Sequence, residues 1–239
     1  MRHFIFDVDG TLTPSRSEID SEFKKYLLEL GKTEYLYLVT GSDYPKTEEQ
    51  IGETIGAFQI CYNCSGNSIF VGGKEIYHSE WKIPAGAKKW LQGTLDRHPY
   101  TNKTGLHIEE RPGLVNFSIV GRNANKEERA TYVEYDIMCN DRNTIANNFN
   151  KIWPEKKKII ANVAGETGID IMPIGAGKSQ ILADFDMDHD IYFFGDRCEP
   201  GGNDYDIAEA VKMWPKGHVF HVKNWQDTFN CLQNVINGV

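Results

Sequence analysis

The sequence has no apolar stretch near the roughly 18 residues that a membrane-spanning helix requires. It also lacks net positive charge: 26 Lys and Arg stand against 34 Asp and Glu, for a formal charge of −8. A general nucleic-acid or membrane-surface binder needs a basic face, so neither partner is expected. A local arginine cluster on an anionic substrate stays compatible with that balance. Cysteine is sparse and odd in number, at five. Cys61 and Cys64 form a CxxC, but no second pair stands at zinc-finger spacing, so the thiols read as structural and reduced. The start reaches Asp7 with no apolar leader core, and a cytoplasmic setting is expected. What remains, 40% hydrophobic and 25% charged, is ordinary for a folded domain.

Three short apolar runs end in chemically capable residues: His3–Phe6 at Asp7, Tyr35–Val39 at Thr40, and Asp190–Phe194 at Gly195 and Asp196. Runs that are apolar on both sides are the mark of buried parallel strands. Gln59–Tyr62 and His218–Val222 are further candidates. Helices are expected over Ser21–Leu30, with Gly31 as its stop, over Lys46–Gly56, and over Gln226–Ile236. The alternation gives an α/β fold: a Rossmann-like parallel sheet with its site outside the carboxyl ends of the strands.

The middle of the chain reads differently. Leu106–Glu110 and Leu114–Val120, joined by Arg111-Pro112-Gly113, predict an antiparallel hairpin with one polar face. Asn125 and Glu128 resemble a capping box for a helix through Ile137. Asp141 is expected to cap a second helix, and strands are expected at Lys158–Val163 and Gly168–Ile174. This α+β block is an insertion. The expected division is a catalytic core of residues 1–79 and 174–239 and a cap of residues 80–173.

Asp7-Val8-Asp9-Gly10-Thr11 puts two carboxylates at a strand end. One aspartate can attack phosphorus to give an acyl phosphate, and the other can deliver a proton to the leaving oxygen. A calcium loop in this register fails, because its first and twelfth positions would be Ile5 and Arg16. Asp196, followed by Gly201-Gly202-Asn203-Asp204, supplies a second acidic cluster. Asp7, Asp196 and the backbone carbonyl of Asp9, supported by Asp204, form the expected magnesium site. Thr40 is placed to hydrogen-bond a phosphoryl oxygen, and Lys178 to neutralise charge on nucleophile and phosphate. A nucleotide P-loop at Gly177-Lys178-Ser179 is excluded by Met172, which stands where the pattern needs glycine.

In this order the acidic strand end, Thr strand end, Lys, and acidic strand end with GGND resemble the haloacid dehalogenase superfamily. Within it, DVDGTLTPSR from Asp7, Arg111-x-Gly-x-x-Asn116, Gly121-Arg122, Glu127-Glu128-Arg129, Asp170 with Pro173, and YFFGDRCEPGGND from Tyr192 resemble the eukaryotic-type phosphomannomutase family. The resemblance implies an inserted α/β cap, magnesium, and a homodimer formed through the cap. It also implies interconversion of hexose 6-phosphate and hexose 1-phosphate, primed by a hexose 1,6-bisphosphate. Such a reaction must hold a second, non-reacting phosphate, a task suited to Arg111, Arg122 and Arg129, because guanidinium is permanently charged and binds phosphate through two bonds. Arg16 is expected at the sugar, with Asn116 and Asp170 on its hydroxyls. Alternatively, the cap arginines form a solvated face paired with Glu109, Glu110, Glu127 and Glu128.

Several positions depart from that family's pattern. Gly168 stands where a serine is usual, Thr40 where a glycine is usual, and Cys64-Ser65-Gly66-Asn67 replaces a Pro-Glu-Asn-Gly-like run. The monovalent-ion loop is not recognisable beyond Ile207. Thr40 looks more like the sugar-phosphate phosphatases with related caps, so a magnesium-dependent phosphatase is the alternative. A catalytically silent sugar-phosphate-binding protein is the third reading.

Overall fold

Side-chain alternation along a few short strands organises the first part of the chain. His3–Phe6 (β1) is buried at every position, and Ser21–Leu30 (α1) follows it. Asp20 caps α1 by accepting from the Glu22 and Phe23 amides, and Gly31 ends it. Tyr35–Val39 (β2) leads to Tyr44–Ile51 (α2), capped by Asp43. A 3-10 turn, Gly52–Ala57, completes the segment expected to be one helix. Gly52 breaks it there with φ 57°. Ile60–Asn63 (β3) is followed by two edge strands, Ser68–Val71 (β4) and Lys74–His78 (β5). The computed structural model describes residues 2–238, and two compact units appear in it: Met1–His78 with Ala176–Val239, and Ser79–Gly175.

The second unit begins with Ala85–Arg97 (α3), then Ile108–Arg111 (β6) and Leu114–Phe117 (β7). Lys126–Cys139 (α4) carries the capping box between Asn125 and Glu128. Asp141–Asn150 (α5), Trp153–Lys157 (α6), Ile159–Ala164 (β8) and Gly168–Pro173 (β9) complete it. The hairpin strands are shorter than expected, and Asp141 does not cap α5. Asn140 occupies the cap position, while the Asp141 carboxylate accepts from Tyr132 Oη at 2.8 Å and lies 2.8 Å from His98 Nε2. The chain returns to the first unit with a 3-10 turn, Lys178–Asp184, then Ile191–Gly195 (β10), Tyr205–Lys212 (α7), Gly217–His221 (β11) and Trp225–Asn237 (α8).

The sheet of the first unit runs β11-β10-β1-β2-β3-β4-β5, parallel through β3 and antiparallel at its last two strands. Phe4, Phe6, Leu36, Leu38 and Phe194 pack on one face with Phe23, Leu27 and Leu232 of α1 and α8. Ile5, Tyr37, Val39, Ile191 and Phe193 pack on the other with Ile207 and Val211 of α7. Each fully buried side chain of this kind contributes about 1.5–3 kcal/mol. A one-residue slip would exchange both faces, so the register is fixed by the packing.

The sheet of the second unit is antiparallel, in the order β6-β7-β9-β8. Val115, Phe117, Ile169, Ile171 and Ala161 join the core with Leu91, Tyr132 and Phe149 of its helices. Alternation then puts Glu109, Asn116, Asp170 and Asn162, which are aligned across the four strands, on the opposite face. No helix among the described residues is long and apolar enough to cross a membrane.

Candidate active site

Register carries the chemistry to one edge of the first unit. Phe6 aligns with Leu38 of β2 and Phe194 of β10, and the Asp7 amide donates to the Phe194 carbonyl at 3.0 Å. Asp7, Thr40 and Asp196 therefore leave the parallel strands at their carboxyl ends. Lys178, from the 3-10 turn before β10, places Nζ 2.6 Å from Asp7 Oδ1 and 2.6 Å from Asp204 Oδ1. Asp204 Oδ2 accepts from the Arg197 amide at 3.1 Å. These three side chains are essentially sealed from solvent: Asp7 and Lys178 are 2% exposed and Asp204 0%.

The charges do not balance. Carboxylate oxygens of Asp7, Asp196 and Asp204 lie within 4.8 Å of one another, against one ammonium. Burial pushes the Asp7 carboxyl well above its usual range, with Lys178 opposing and Asp204 and Asp196 adding to the rise. Burial and then Asp204 push Asp196 up to about 6. Lys178 is held protonated: burial acts against its charge, but Asp204 and Asp7 outweigh it. Asp7 Oδ2 is buried and has no hydrogen-bond partner. An unmade oxygen beside crowded carboxylates is the donor set that a hard divalent cation satisfies, by turning repulsion into attraction. Gly10 fits the same purpose. Its φ is 86°, and a Cβ there would collide with Asp196 Oδ2 and Cγ, so glycine lets the loop lie against that carboxylate.

Asp9 faces elsewhere. Its Oδ2 accepts from Lys46 Nζ at 2.6 Å, and its Oδ1 from Gln50 Nε2 at 2.9 Å and from the Arg16 amide at 3.4 Å. Burial alone would raise the Asp9 carboxyl, but the Lys46 charge and these hydrogen bonds bring it below its usual value. Arg16 itself sits at φ 54°. Thr40 is buried, and its Oγ1 accepts from the Ser42 amide at 3.1 Å. The loop 64–67 braces the Lys178 segment: Asn67 Nδ2 donates to the Ala176 carbonyl at 3.1 Å, and Gln180 Nε2 to the Ser65 carbonyl at 2.7 Å. Cys61 and Cys64 are buried free thiols, as all five cysteines are free, and burial pushes Cys61 up to about 12.

In the second unit, the polar sheet face carries its own cluster. Arg111 Nε donates to Glu109 Oε2 at 2.8 Å, and Arg122 Nε lies 3.2 Å from Glu109 Oε1. Asn116 Nδ2 donates to Asp170 Oδ1 at 2.6 Å. A Cβ on Gly168 would stand 2.5 Å from that Nδ2, so the glycine makes room for this pair. Arg129 is held separately, by Glu166 Oε2 at 2.9 Å and Thr167 Oγ1 at 3.0 Å. The three arginines thus divide into a pair on Glu109 and a single one beside the β8–β9 turn. Of the glutamates weighed as partners from sequence, Glu109 takes that part; Glu166 was not foreseen.

Asp7, Lys178, Asp196 and Asp204 come together as one cluster, while the carboxylate of Asp9 joins a neighbouring network. Lys46 and Gln50, which hold it, were missed. In sequence, Lys46-Thr47-Glu48-Glu49-Gln50 reads as a solvated helical face, and only their i, i+4 spacing hinted at a shared target.

Residues 23–238 match the family model for eukaryotic phosphomannomutase. The chain is 33% identical over 215 residues to a phosphomannomutase of Arabidopsis thaliana, covering 87% of each chain. It is 33% identical over 243 aligned positions to phosphomannomutase 1 of Dictyostelium discoideum, covering 97% of this chain and 95% of that one. Among solved structures, an N-terminally truncated, IMP-bound IMP-nucleotidase of Plasmodium falciparum superposes with a TM-score of 0.65 at 13% identity. That superposition covers 99% of this chain and 68% of the other, a likeness of fold. With the match extending over most of its length, the chain belongs to the eukaryotic phosphomannomutase family.

Proposed function

We propose that this protein is a phosphohexomutase that interconverts mannose 6-phosphate and mannose 1-phosphate, primed by a hexose 1,6-bisphosphate. The observation that carries the reading is the sealed Asp7 carboxylate, bridged by Lys178 to Asp204 and left with one oxygen unmade. Asp7 is the nucleophile. Its oxygen bonds to phosphorus as the phosphorus–sugar oxygen bond breaks, giving an aspartyl phosphate. Asp9 gives the leaving sugar oxygen its proton and takes one back when a sugar hydroxyl attacks the aspartyl phosphate. Lys178 holds Asp7 in place and offsets charge, and Thr40 serves a phosphoryl oxygen. Asp7, Asp196 and the Asp9 carbonyl would hold magnesium, with Asp204 in support; the ion would supply charge neutralisation of the transferring phosphoryl group.

In this reading the catalytic core is residues 1–79 and 174–239 and the cap residues 80–173, one or two residues from the limits of the two compact units. In the cap, Arg111, Arg122 and Arg129 take the phosphate that is not reacting, while Asn116 and Asp170, with Arg16 of the core, take the sugar. Ile137 and Met138 of α4, 76% and 83% exposed, support a homodimer through the cap, and the free thiols support a cytoplasmic setting. Thr40 at the strand end favours a second reading, a sugar-phosphate phosphatase in which water takes the phosphoryl group from Asp7.

One assay separates the two. Conversion of mannose 1-phosphate to mannose 6-phosphate is followed with and without mannose 1,6-bisphosphate, alongside phosphate release, in magnesium and in chelator. Primer-dependent conversion exceeding hydrolysis is expected. Hydrolysis alone gives the phosphatase, and full activity in chelator overturns the metal assignment.

A further inference from the structure

α2 carries Lys46 and Gln50 one turn apart, so both side chains leave the same face of the helix. Each takes a different oxygen of one carboxylate, Lys46 Nζ meeting Asp9 Oδ2 and Gln50 Nε2 meeting Asp9 Oδ1. The Asp9 carboxylate therefore cannot rotate about its Cβ–Cγ bond without breaking a contact. The helix behind this clamp is itself tied down. Asp43 caps it, and Thr47 Oγ1 accepts from Asn63 Nδ2 of β3 at 2.7 Å while donating to the Asp43 carbonyl at 3.1 Å. The Gln50 carbonyl accepts from the Ile19 amide at 2.9 Å. The clamp also has fixed outer partners. Lys46 Nζ donates to Ser42 Oγ at 2.9 Å, and Gln50 Nε2 to Thr13 Oγ1 at 3.0 Å. Gln50 is 3% exposed and the Lys46 side chain 15%, which sets this ion pair apart from a solvated surface pair of small worth.

Resting on the phosphoryl-transfer reading above, we propose that Lys46 and Gln50 are positioning residues that aim the Asp9 carboxylate for proton transfer with the sugar oxygen. In transfer to the sugar, the hydroxyl oxygen bonds to phosphorus, the Asp7 oxygen–phosphorus bond breaks, and the hydroxyl proton passes to Asp9. In the reverse direction the same proton returns to the leaving oxygen. A sugar alkoxide leaves badly without that proton, whereas p-nitrophenolate leaves as a stable anion and needs it little. Misplacing a reacting group by about 1 Å costs on the order of 100-fold in rate. Loss of the clamp should therefore weigh unequally on the two kinds of ester in the step where they differ, formation of the aspartyl phosphate, because the later attack on that intermediate uses Asp9 whichever ester is supplied.

The test compares Lys46→Met, Gln50→Leu and Lys46→Arg with the wild type on mannose 1-phosphate and on p-nitrophenyl phosphate. Sugar-phosphate consumption is counted as conversion plus phosphate release. For Lys46→Met and Gln50→Leu, the fall in the single-turnover rate of aspartyl-phosphate formation from the sugar ester is expected to exceed that from the aryl ester by about 10- to 100-fold, with KM nearly steady. Lys46→Arg, which keeps the charge, should recover part of the loss. Equal losses on both esters, or a rise in KM on both, would show that the pair is structural or touches phosphate directly, and would overturn the proposal. Should Lys46→Met fail to fold, Gln50→Leu and Lys46→Arg decide. A wild type that only hydrolyses the sugar ester removes the mutase reading and leaves the comparison intact. A wild type inert to both esters removes both.

Discussion

Replacing Lys178 by methionine keeps the length of the side chain and deletes the one ammonium between Asp7 and Asp204, both 2.6 Å away. With the three groups buried, the variant is left with uncompensated carboxylates, and breaking a buried pair from one side costs about 3–5 kcal/mol. At about 2–4 °C per kcal/mol for a chain of this size, the melting temperature should fall by roughly 6–20 °C near neutral pH. The penalty also has a sign in pH. Burial and like-charge neighbours raise the folded-state Asp7 carboxyl, and removing Lys178 removes its main opposing charge. A raised carboxyl destabilises the fold above its ordinary range, and the cost fades as acid protonates it. For one proton, the gap between variant and wild type should narrow by about 1.4 kcal/mol per pH unit on acidification. Thermal unfolding followed by circular dichroism, in chelator at neutral and mildly acidic pH, measures both effects. A melting temperature within about 2 °C of wild type at neutral pH, well under the expected range, would refute the reasoning. So would a gap that stays constant or widens in acid.

Asp7→Asn should abolish turnover and prevent trapping of a beryllofluoride adduct, whereas Asp9→Asn should leave the adduct site and slow catalysis by about 10²–10⁴; stopped-flow rates and adduct detection by mass or NMR check the pair. Arg129→Ala should cut the specificity constant for the bisphosphate by roughly 10- to 100-fold and act far less on p-nitrophenyl phosphate, as expected for one charge-assisted contact. Equal loss on both would make Arg129 a structural partner of Glu166. His3, stacked on His189 at 4.0 Å, is lowered to about 4 by burial and then by His189. Its neutral form therefore contributes stability that is present above its ordinary value and lost as pH falls towards 4. Equilibrium unfolding should show up to about 3 kcal/mol of acid sensitivity that His3→Gln flattens.

Much of the first unit was legible because its strands obey one rule. β1 and β2 are apolar without interruption up to Asp7 and Thr40, which is what burial on both faces demands. The hairpin of β4 and β5 escaped notice because β5 is exposed along its whole length and shows no inward stripe. Gly72 and Gly73, both at positive φ between the strands, were the available signal. α3 was also readable in hindsight, from Ala87, Leu91 and Leu95 at helical spacing behind Pro84. The acidic cluster followed from strand ends, whose positions a sequence reveals. The Asp9 clamp did not, because its partners lie 37 and 41 residues away, on a helix face that looks like solvent-facing polar surface. The split of the cap arginines between Glu109 and Glu166 likewise depends on tertiary approach that strand alternation does not encode.

The bond from Lys178 to Asp7 joins residues 171 positions apart, and Thr228 Oγ1 of α8 donates to the Thr11 carbonyl at 2.7 Å across 217 positions. The loop that bears Asp7 is therefore braced by segments that the ribosome makes long after it. β1 emerges well before its neighbour β10, which is still to be translated while the whole second unit is being made. Pairings of such separation form slowly, and the strand edges that wait for them are where nascent chains associate wrongly. Until β10 and the Lys178 turn arrive, the Asp7 carboxylate has no ammonium to meet and stays hydrated, so the site takes shape only as the core closes. Substitutions in α8, remote from phosphate chemistry, should therefore show up first as lost yield of folded protein, with normal turnover in the molecules that complete the closure.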